Sequence, residues 1–286
     1  MSEQETGQKL NKTLKLFATR LSEVPETEEG ETNPLKFECS SITDLAKYDT
    51  YLVKFSSKMK LGIFGAAAEI IACKLAIHFH LKTPDFSLIE ISHCLCDALN
   101  SNLSSDPRIL SNINANNGSI CFGSKFISTG IRNPLDDEVF TDDQKTYAEL
   151  IFAFDGLLYN ADRTFMTPNF FIRNQEFILY DHEKAFFFVR LGIIPDPKSS
   201  LFINGNSCFL SDHFFWDLLH KTKPDFGNFL PLLHSLDDRK INEIIQSVPY
   251  EISKECRQEL ELVSNHLKTM RDNSHFFQIE LMRALK

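Results

Sequence analysis

The stretch LGIFGAAAEIIACKLAIHFHL, residues 61–81, constrains this chain more than any other. It lacks proline, is rich in helix formers and predicts a helix of about four or five turns from Gly62 onward. At helical spacing, the neighbours of Glu69 are Gly65, Ala66, Ala72 and Cys73. A carboxylate on so small and apolar a face carries a penalty of several kcal/mol unless a cation meets it. Lys54, between Val53 and Phe55 in the apolar run TYLVKF, is the natural counter-ion one strand earlier. Taken alone, Lys54 also reads as an edge-strand lysine that blocks unwanted pairing, and Glu69 as a solvent-facing turn.

A chain of 286 residues has room for one large domain or two lobes, each with its own core. With 43% apolar and 24% charged residues it reads as globular, and a formal charge of −9 argues against binding nucleic acid, whose affinity comes from basic groups on phosphates. The cysteines at 39, 73, 94, 96, 121, 208 and 256 follow no disulfide framework, and MSEQETGQKL does not read as a signal peptide. Both point to a reducing, cytoplasmic setting. HCLCD (93–97) has two thiols and a histidine but no second pair at zinc spacing, so it reads as buried helix residues rather than a metal site. No run approaches the ~18 apolar residues of a membrane span.

Strands are expected at 12–21, in LKFECSS, in TYLVKFSS, in TPDFSLIEIS and in SICFGSKFI, the last ending at Gly123. ITDLAKYD reads as a turn, 22–34 as a loop carrying five glutamates, and the Asn- and Ser-dense 100–118 as irregular. Thr141 is the expected N-cap of an apolar helix in TDDQKTYAELIFAFDGLLYN, and 209–286 has helical spacing with breaks at Pro224, Pro231 and Pro249. The order predicts an α+β chain: a β-rich N-lobe over 1–123, a mostly helical C-lobe over 124–286, and a crevice between them.

NFFIRNQEFILYD reads as a hairpin turning at RNQE. It returns Asp181 to the loop that carries Asp162 and Asn169. Two carboxylates and an amide oxygen converging there are hard ligands suited to Mg²⁺. Singly, Asp162 and Asp181 read as turn or cap residues. Beside a fixed ammonium at Lys54, the set points to nucleotide phosphates.

The segments FDGLLYNADRT, TPNFFI and LYDHEKAF, with YLVKF and AAAEIIACKLA upstream, resemble the compact HipA-like kinases and, more distantly, the catalytic loop of phosphatidylinositol kinases. GETNPLKFEC looks like the family's phosphate-side loop and strand, CFGSKFI like its inter-lobe connection, and QSVPYEIS like a late helical landmark. The resemblance implies a two-lobed, protein-kinase-like fold that uses ATP and Mg²⁺. By resemblance, Lys54 contacts the phosphates and Glu69 holds it; Asp162 orients the attacking hydroxyl; Asn169 and Asp181 hold the metal. The backbone of Gly30, Thr32 and Asn33 lies over the phosphates, and Cys121 and Phe122 border the nucleotide.

The implied activity is transfer of the γ-phosphoryl group to a Ser or Thr hydroxyl of a protein or of the chain itself. The implied setting is a toxin–antitoxin or phage-defence pair with a partner protein. Two departures keep a pseudokinase or nucleotide-binding scaffold open. Thr167 stands where protein kinases carry a metal-binding Asn, and the phosphate-side loop carries Glu23, Glu26, Glu28, Glu29 and Glu31. A pure interaction protein docking through 209–286 is the third reading. Asp155 and Asn160 read as braces or ligands, Arg163 as a phosphate contact or a brace, His182 as scaffold and Trp216 as core.

Overall fold

The computed structural model describes residues 15–23, 32–102, 107–135, 138–192, 195–199, 201–204 and 207–286. Its first half is a five-stranded barrel built from β1 (Lys15–Glu23), β2 (Leu35–Ser41), β3 (Asp44–Lys54), β4 (Phe86–Glu90) and β5 (Ile120–Lys125). Strands run β1-β2-β3-β5-β4 around it, and β1 closes the circle by pairing parallel to β4 over Lys15–Phe17 and Leu88–Glu90. The other four pairings are antiparallel. β5 continues two residues beyond Gly123, where a β-carbon would come within 2.4 Å of Ile89 Cγ1, so only glycine lets the two strands approach this closely.

Two stretches differ from the sequence expectation. ITDLAKYD turns only at Ile42 and Thr43; from Asp44 it is strand, with Tyr48 opposite Ser40 and Asp49 opposite Cys39. This end of β3 stands clear of the core, so its side chains carry no apolar alternation, and pairing with β2 decides its structure. The Asn- and Ser-rich 100–118 is largely helical, comprising the end of α2 (His93–Asn102) and α3 (Pro107–Ala115). Ile109 and Ile113, four apart, bury against the barrel cluster, while Asn116 turns its amide onto Asn112 O (2.7 Å) and Ser57 Oγ (3.0 Å). A few well-spaced isoleucines thus outweigh the composition.

The helix expected from 61–81 is α1, Ile63–His78, and it is buried on all sides from Phe64 to Ala76. It belongs to the larger hydrophobic cluster, together with α4 (Asp142–Leu158) and the C-terminal helices, whereas Val53, Phe55, Ile89 and Cys121 fill the barrel. Thr141 caps α4 as expected: its hydroxyl accepts from Gln144 N–H, and the Gln144 side chain accepts from Thr141 N–H at 3.0 Å. Behind α4 follow the hairpin β6 (Phe170–Arg173) and β7 (Glu176–Leu179), the short pair β8 (Ile203–Asn204) and β9 (Ser207–Cys208), and helices α5 (Trp216–Thr222), α6 (Phe229–His234), α7 (Asp238–Gln246), α8 (Tyr250–Ser253), α9 (Arg257–Asp272) and α10 (Ser274–Ala284). Pro231 does not break α6. It sits in the first turn, where no intrahelical N–H is required. The abundant phenylalanines pack as ring pairs such as Phe170–Phe215 and Phe79–Phe229, with centroids 5.3 and 4.7 Å apart.

All seven cysteines are free thiols. Among the described residues no helix is long and apolar enough to cross a membrane, and no cluster of three or more His, Cys, Asp or Glu side chains is placed to hold a metal. Cys94 and Cys96 both lie on α2, Cys96 buried as expected but Cys94 exposed, because it falls on the helix face turned away from Leu95 and Cys96.

Candidate active site

The β6–β7 hairpin turns through Asn174 and Gln175, both with positive φ, the two-residue turn that matches strand twist. Phe170 pairs with Leu179, and Tyr180 N–H donates to Asn169 O at 3.0 Å, which sets Asn169 beside Asp181. Asn169 (φ 51°) and Asp181 (φ 60°) both occupy the left-handed region, a conformation asparagine and aspartate tolerate better than most residues.

Lys54 extends from the end of β3 into the space between barrel and hairpin. Its Nζ lies 2.5 Å from Glu69 Oε1, 2.6 Å from Asp181 Oδ1 and 4.0 Å from Glu183 Oε2. The other Glu69 oxygen accepts His182 N–H at 3.0 Å, so α1 is tied to the segment after β7 by one buried carboxylate. Burial opposes charge on Lys54, but Glu69 and Asp181 override it and hold the ammonium above its usual pKa. Burial likewise resists ionisation of Asp181, yet Lys54 keeps that carboxyl below its usual range. Glu69 is pushed up by burial against the pull of Lys54, and Glu183, 2% exposed, is pushed up by burial to about 7. Glu183 Oε2 makes no hydrogen bond among the described residues. Three carboxylates therefore face one ammonium.

Asp162 is gripped from two sides. Its Oδ1 accepts from Lys184 Nζ at 2.8 Å, and Asn169 Nδ2 donates to its backbone oxygen at 2.9 Å and its Oδ2 at 3.3 Å. Thr167 stays within this loop, its hydroxyl donating to Asp162 O at 2.9 Å. Under the loop Arg163 is completely buried: Nε meets Asp155 Oδ2 at 2.6 Å, and Nη1 donates to Asn169 O. Asn160 Nδ2 and His213 Nε2 also reach Asp155, at 2.9 and 3.0 Å. Burial disfavours charge on Asp155, but Arg163 and His213 hold its pKa well below the usual range. Asp155, Asn160 and Arg163 are thus braces. His182 is scaffold as well: fully buried, with neither ring nitrogen hydrogen-bonded among the described residues, its pKa is pushed down by burial to about 3. Trp216 is half-buried, its indole N–H on Ala284 O at 2.9 Å.

The Lys54 and Asp162 clusters, but not the braces beneath them, line one cavity of 440 Å³, the size of a small-molecule site. Thr32, Lys54, Glu69, Phe122, Asp162, Asn169 and Asp181 all border it. Cys121, next to Phe122 on β5, points by strand alternation into the barrel core instead, and Asn33, in left-handed backbone at φ 45°, adjoins the wall without lining it. Gly30 lies outside the described residues, as do Glu26, Glu28, Glu29 and Glu31. Lys184 and Glu183 were not singled out from the sequence, nor was the apolar wall of Leu52, Ile127, Ile131 and Phe171. The available signal for Lys184 was its place three residues beyond Asp181, in a block with more carboxylates than cations. The cavity lining combines apolar side chains, among them Leu52, Phe122, Ile127, Ile131 and Phe171, with three lysines (Lys54, Lys125 and Lys184) and four carboxylates (Glu69, Asp162, Asp181 and Glu183).

A model of the HipA-like kinase family matches residues 8–189, which span the barrel, the Lys54–Glu69 pair and the whole block from Asp162 to Lys184. The chain belongs to the HipA-like kinase family. Among solved structures, the Helicobacter pylori proinflammatory kinase CtkA superposes on this HipA-like chain with a TM-score of 0.50 at 16% identity, covering 91% of this chain and 95% of its own. That likeness is one of fold. No curated protein matches the chain by sequence.

Proposed function

We propose that this chain is an ATP- and Mg²⁺-dependent kinase with two lobes meeting after Gly123, transferring the γ-phosphoryl group to a Ser or Thr hydroxyl of a protein or of itself. The observation that carries the reading is the meeting of Lys54 and Asp181, 127 positions apart, at 2.6 Å on the wall of a cavity that Asp162 and Asn169 share. The apolar side chains of the lining suit a purine ring and the charged ones suit its phosphates.

In this reading Lys54 binds phosphate oxygens, and Glu69 holds the lysine in place and charged. Asp162 orients the attacking hydroxyl and takes its proton while the new O–P bond forms and the bond to the β-phosphate oxygen breaks. Lys184, already beside Asp162, places a second positive charge where the transferred group passes. The excess of carboxylates over ammonium around Lys54, with Glu183 Oε2 unsatisfied, fits a site built to receive a further cation. Asn169 and Asp181 would hold Mg²⁺, which neutralises phosphate charge when bound and needs only one or two protein carboxylates. Backbone around Thr32 and Asn33 covers the phosphates.

The test is incubation with labelled ATP and Mg²⁺, comparing the wild type with Asp162→Asn and Asp181→Ala. Loss of label in both variants is expected; equal labelling in all three removes the assignment. A nucleotide-binding scaffold without transfer is the second reading, favoured by Thr167 being occupied with the Asp162 backbone. A nucleotide-induced melting shift without transfer selects it. Membership of a toxin–antitoxin or phage-defence pair in the cytoplasm is suggested by the family alone.

A further inference from the structure

A second concavity, of 350 Å³, lies on the other side of the Asp162–Asn169 loop and shares no lining residue with the first. Its walls are Thr164, Phe165 and Met166 from that loop, Asp212 from the turn before α5, and Trp216 and Asp217 from the start of α5. Phe165 is 50% and Met166 91% exposed, although both are large and apolar. The tip bearing them is held in shape. Thr164 N–H donates to Thr167 O at 3.0 Å, and Thr167 N–H donates to Thr164 Oγ1 at 3.2 Å. The Phe165 ring leans on Phe214, with centroids 4.8 Å apart. The two walls are also joined, because Thr164 bridges to His213 and Phe214 N–H donates to Arg163 O at 2.8 Å. The groove is therefore one unit with Asp162, whose α-carbon is two residues, at most about 7 Å, from that of Thr164.

The charge in the groove has one sign. Asp212 and Asp217 are exposed and make no ion pair among the described residues, and no lysine or arginine lines the concavity. Some exposed carboxylates elsewhere, such as Asp142, Glu176 and Asp238, meet a basic side chain, and others, such as Asp143 and Glu251, do not among the described residues. What sets Asp212 and Asp217 apart is that they share a concavity with exposed apolar side chains. Two unpaired carboxylates beside a projecting methionine and an aromatic wall complement a segment carrying lysine or arginine next to a large apolar residue.

We propose that this groove docks a basic–apolar segment of the polypeptide that carries the acceptor hydroxyl, presenting that hydroxyl to Asp162. The proposal rests on the kinase reading and adds the chemistry of its acceptor. An acidic polypeptide or a nucleic acid meets the same two carboxylates as repulsion.

The experiment uses the full chain with Mg²⁺ and a non-hydrolysable ATP analogue. Three fluorescent peptides of equal length share a central serine: one with arginine and leucine beside it, one with glutamate replacing arginine, one with alanine replacing leucine. Fluorescence anisotropy should give the arginine–leucine peptide about tenfold tighter binding than the glutamate peptide, weakening as salt is raised through the range where the Debye length falls below about 8 Å. The double variant Asp212→Asn/Asp217→Asn should lose that advantage, and Met166→Ala should lose the preference for leucine, while both keep the wild-type melting temperature and nucleotide-induced shift. Equal affinity for all three peptides, unchanged preference in the variants, or wild-type dimers that Met166→Ala dissociates would overturn the proposal, the last by showing a second copy as occupant. Labelled ATP in place of the analogue separates the two claims. Bound peptide that never acquires label counts against the kinase reading, whereas label transferred without regard to peptide charge counts against the groove.

Discussion

Lys184 donates to the Asp162 carboxylate at 2.8 Å, so two lysines of the cleft rest on the carboxylates that the kinase reading places around the phosphates: Lys54 on Asp181, and Lys184 on Asp162. In the kinase reading, Lys184→Met removes a positive charge beside the path of the phosphoryl group. It should lower kcat by about 10²- to 10³-fold, leave the KM for ATP within a few-fold, and abolish tight binding of ADP with aluminium fluoride. Steady-state kinetics and a titration with that analogue check it. A purely structural lysine would change melting temperature without the split between kcat and KM.

Glu69 is the acceptor for both Lys54 and the His182 amide. Glu69→Ala strands a buried N–H and leaves the ammonium to Asp181, for a loss of about 3–5 kcal/mol in urea unfolding. Lys54→Met acts differently because it leaves Glu69, Asp181 and Glu183 facing one another. Their carboxyls then favour the protonated form, so the folded state binds protons more readily than the unfolded one. The stability gap to wild type should narrow as the pH is lowered from about 7 to about 5.

The Asp155–Arg163 pair has no exposed surface. Asp155→Asn leaves an uncompensated buried guanidinium and should destabilise the chain by about 3–5 kcal/mol in chemical denaturation. Arg163→Lys cannot span Asp155 and Asn169 O together, and should lose transfer activity more than nucleotide binding, read as kcat against the Kd of a non-hydrolysable analogue.

His266 is buried with Nε2–H on Leu157 O at 2.8 Å, and burial pushes its pKa down to about 4. A base depressed in the folded state lets the unfolded chain bind more protons between that value and its ordinary 6.5, so stability falls as the pH drops through this window. His182, pushed down to about 3, acts in the same direction. Replacing His266 by Gln should shrink the stability difference between about pH 7.5 and about pH 5 by about 2 kcal/mol, measured by urea melts at both values.

The charge pairing at Lys54 and Glu69 was legible because burial imposes it. A carboxylate among alanines has few ways to be neutralised, and one lysine lay a strand away. The hairpin was legible for a similar reason, since a two-residue turn fixes register and hence the meeting of Asn169 and Asp181. Lys184 was not legible, because a long flexible side chain can take many directions and only the backbone after β7 selects one. The first half of α2 was legible as helix in HCLCD, but its asparagine-rich end and α3 were hidden by composition, α3 resting on the buried Ile109 and Ile113. The parallel seam between Lys15–Phe17 and Leu88–Glu90 joins segments some seventy residues apart, and local pattern carries no trace of it.

That seam also limits how another polypeptide can be recognised. A sheet with an open margin invites a visitor to lie alongside and share its amide ladder, whatever the visitor's sequence. Here β1 is bonded to β2 and, over Lys15–Phe17, to β4 as well, so along that seam the barrel extends no such invitation. Selectivity for an incoming protein falls to side chains, where single substitutions can retune it.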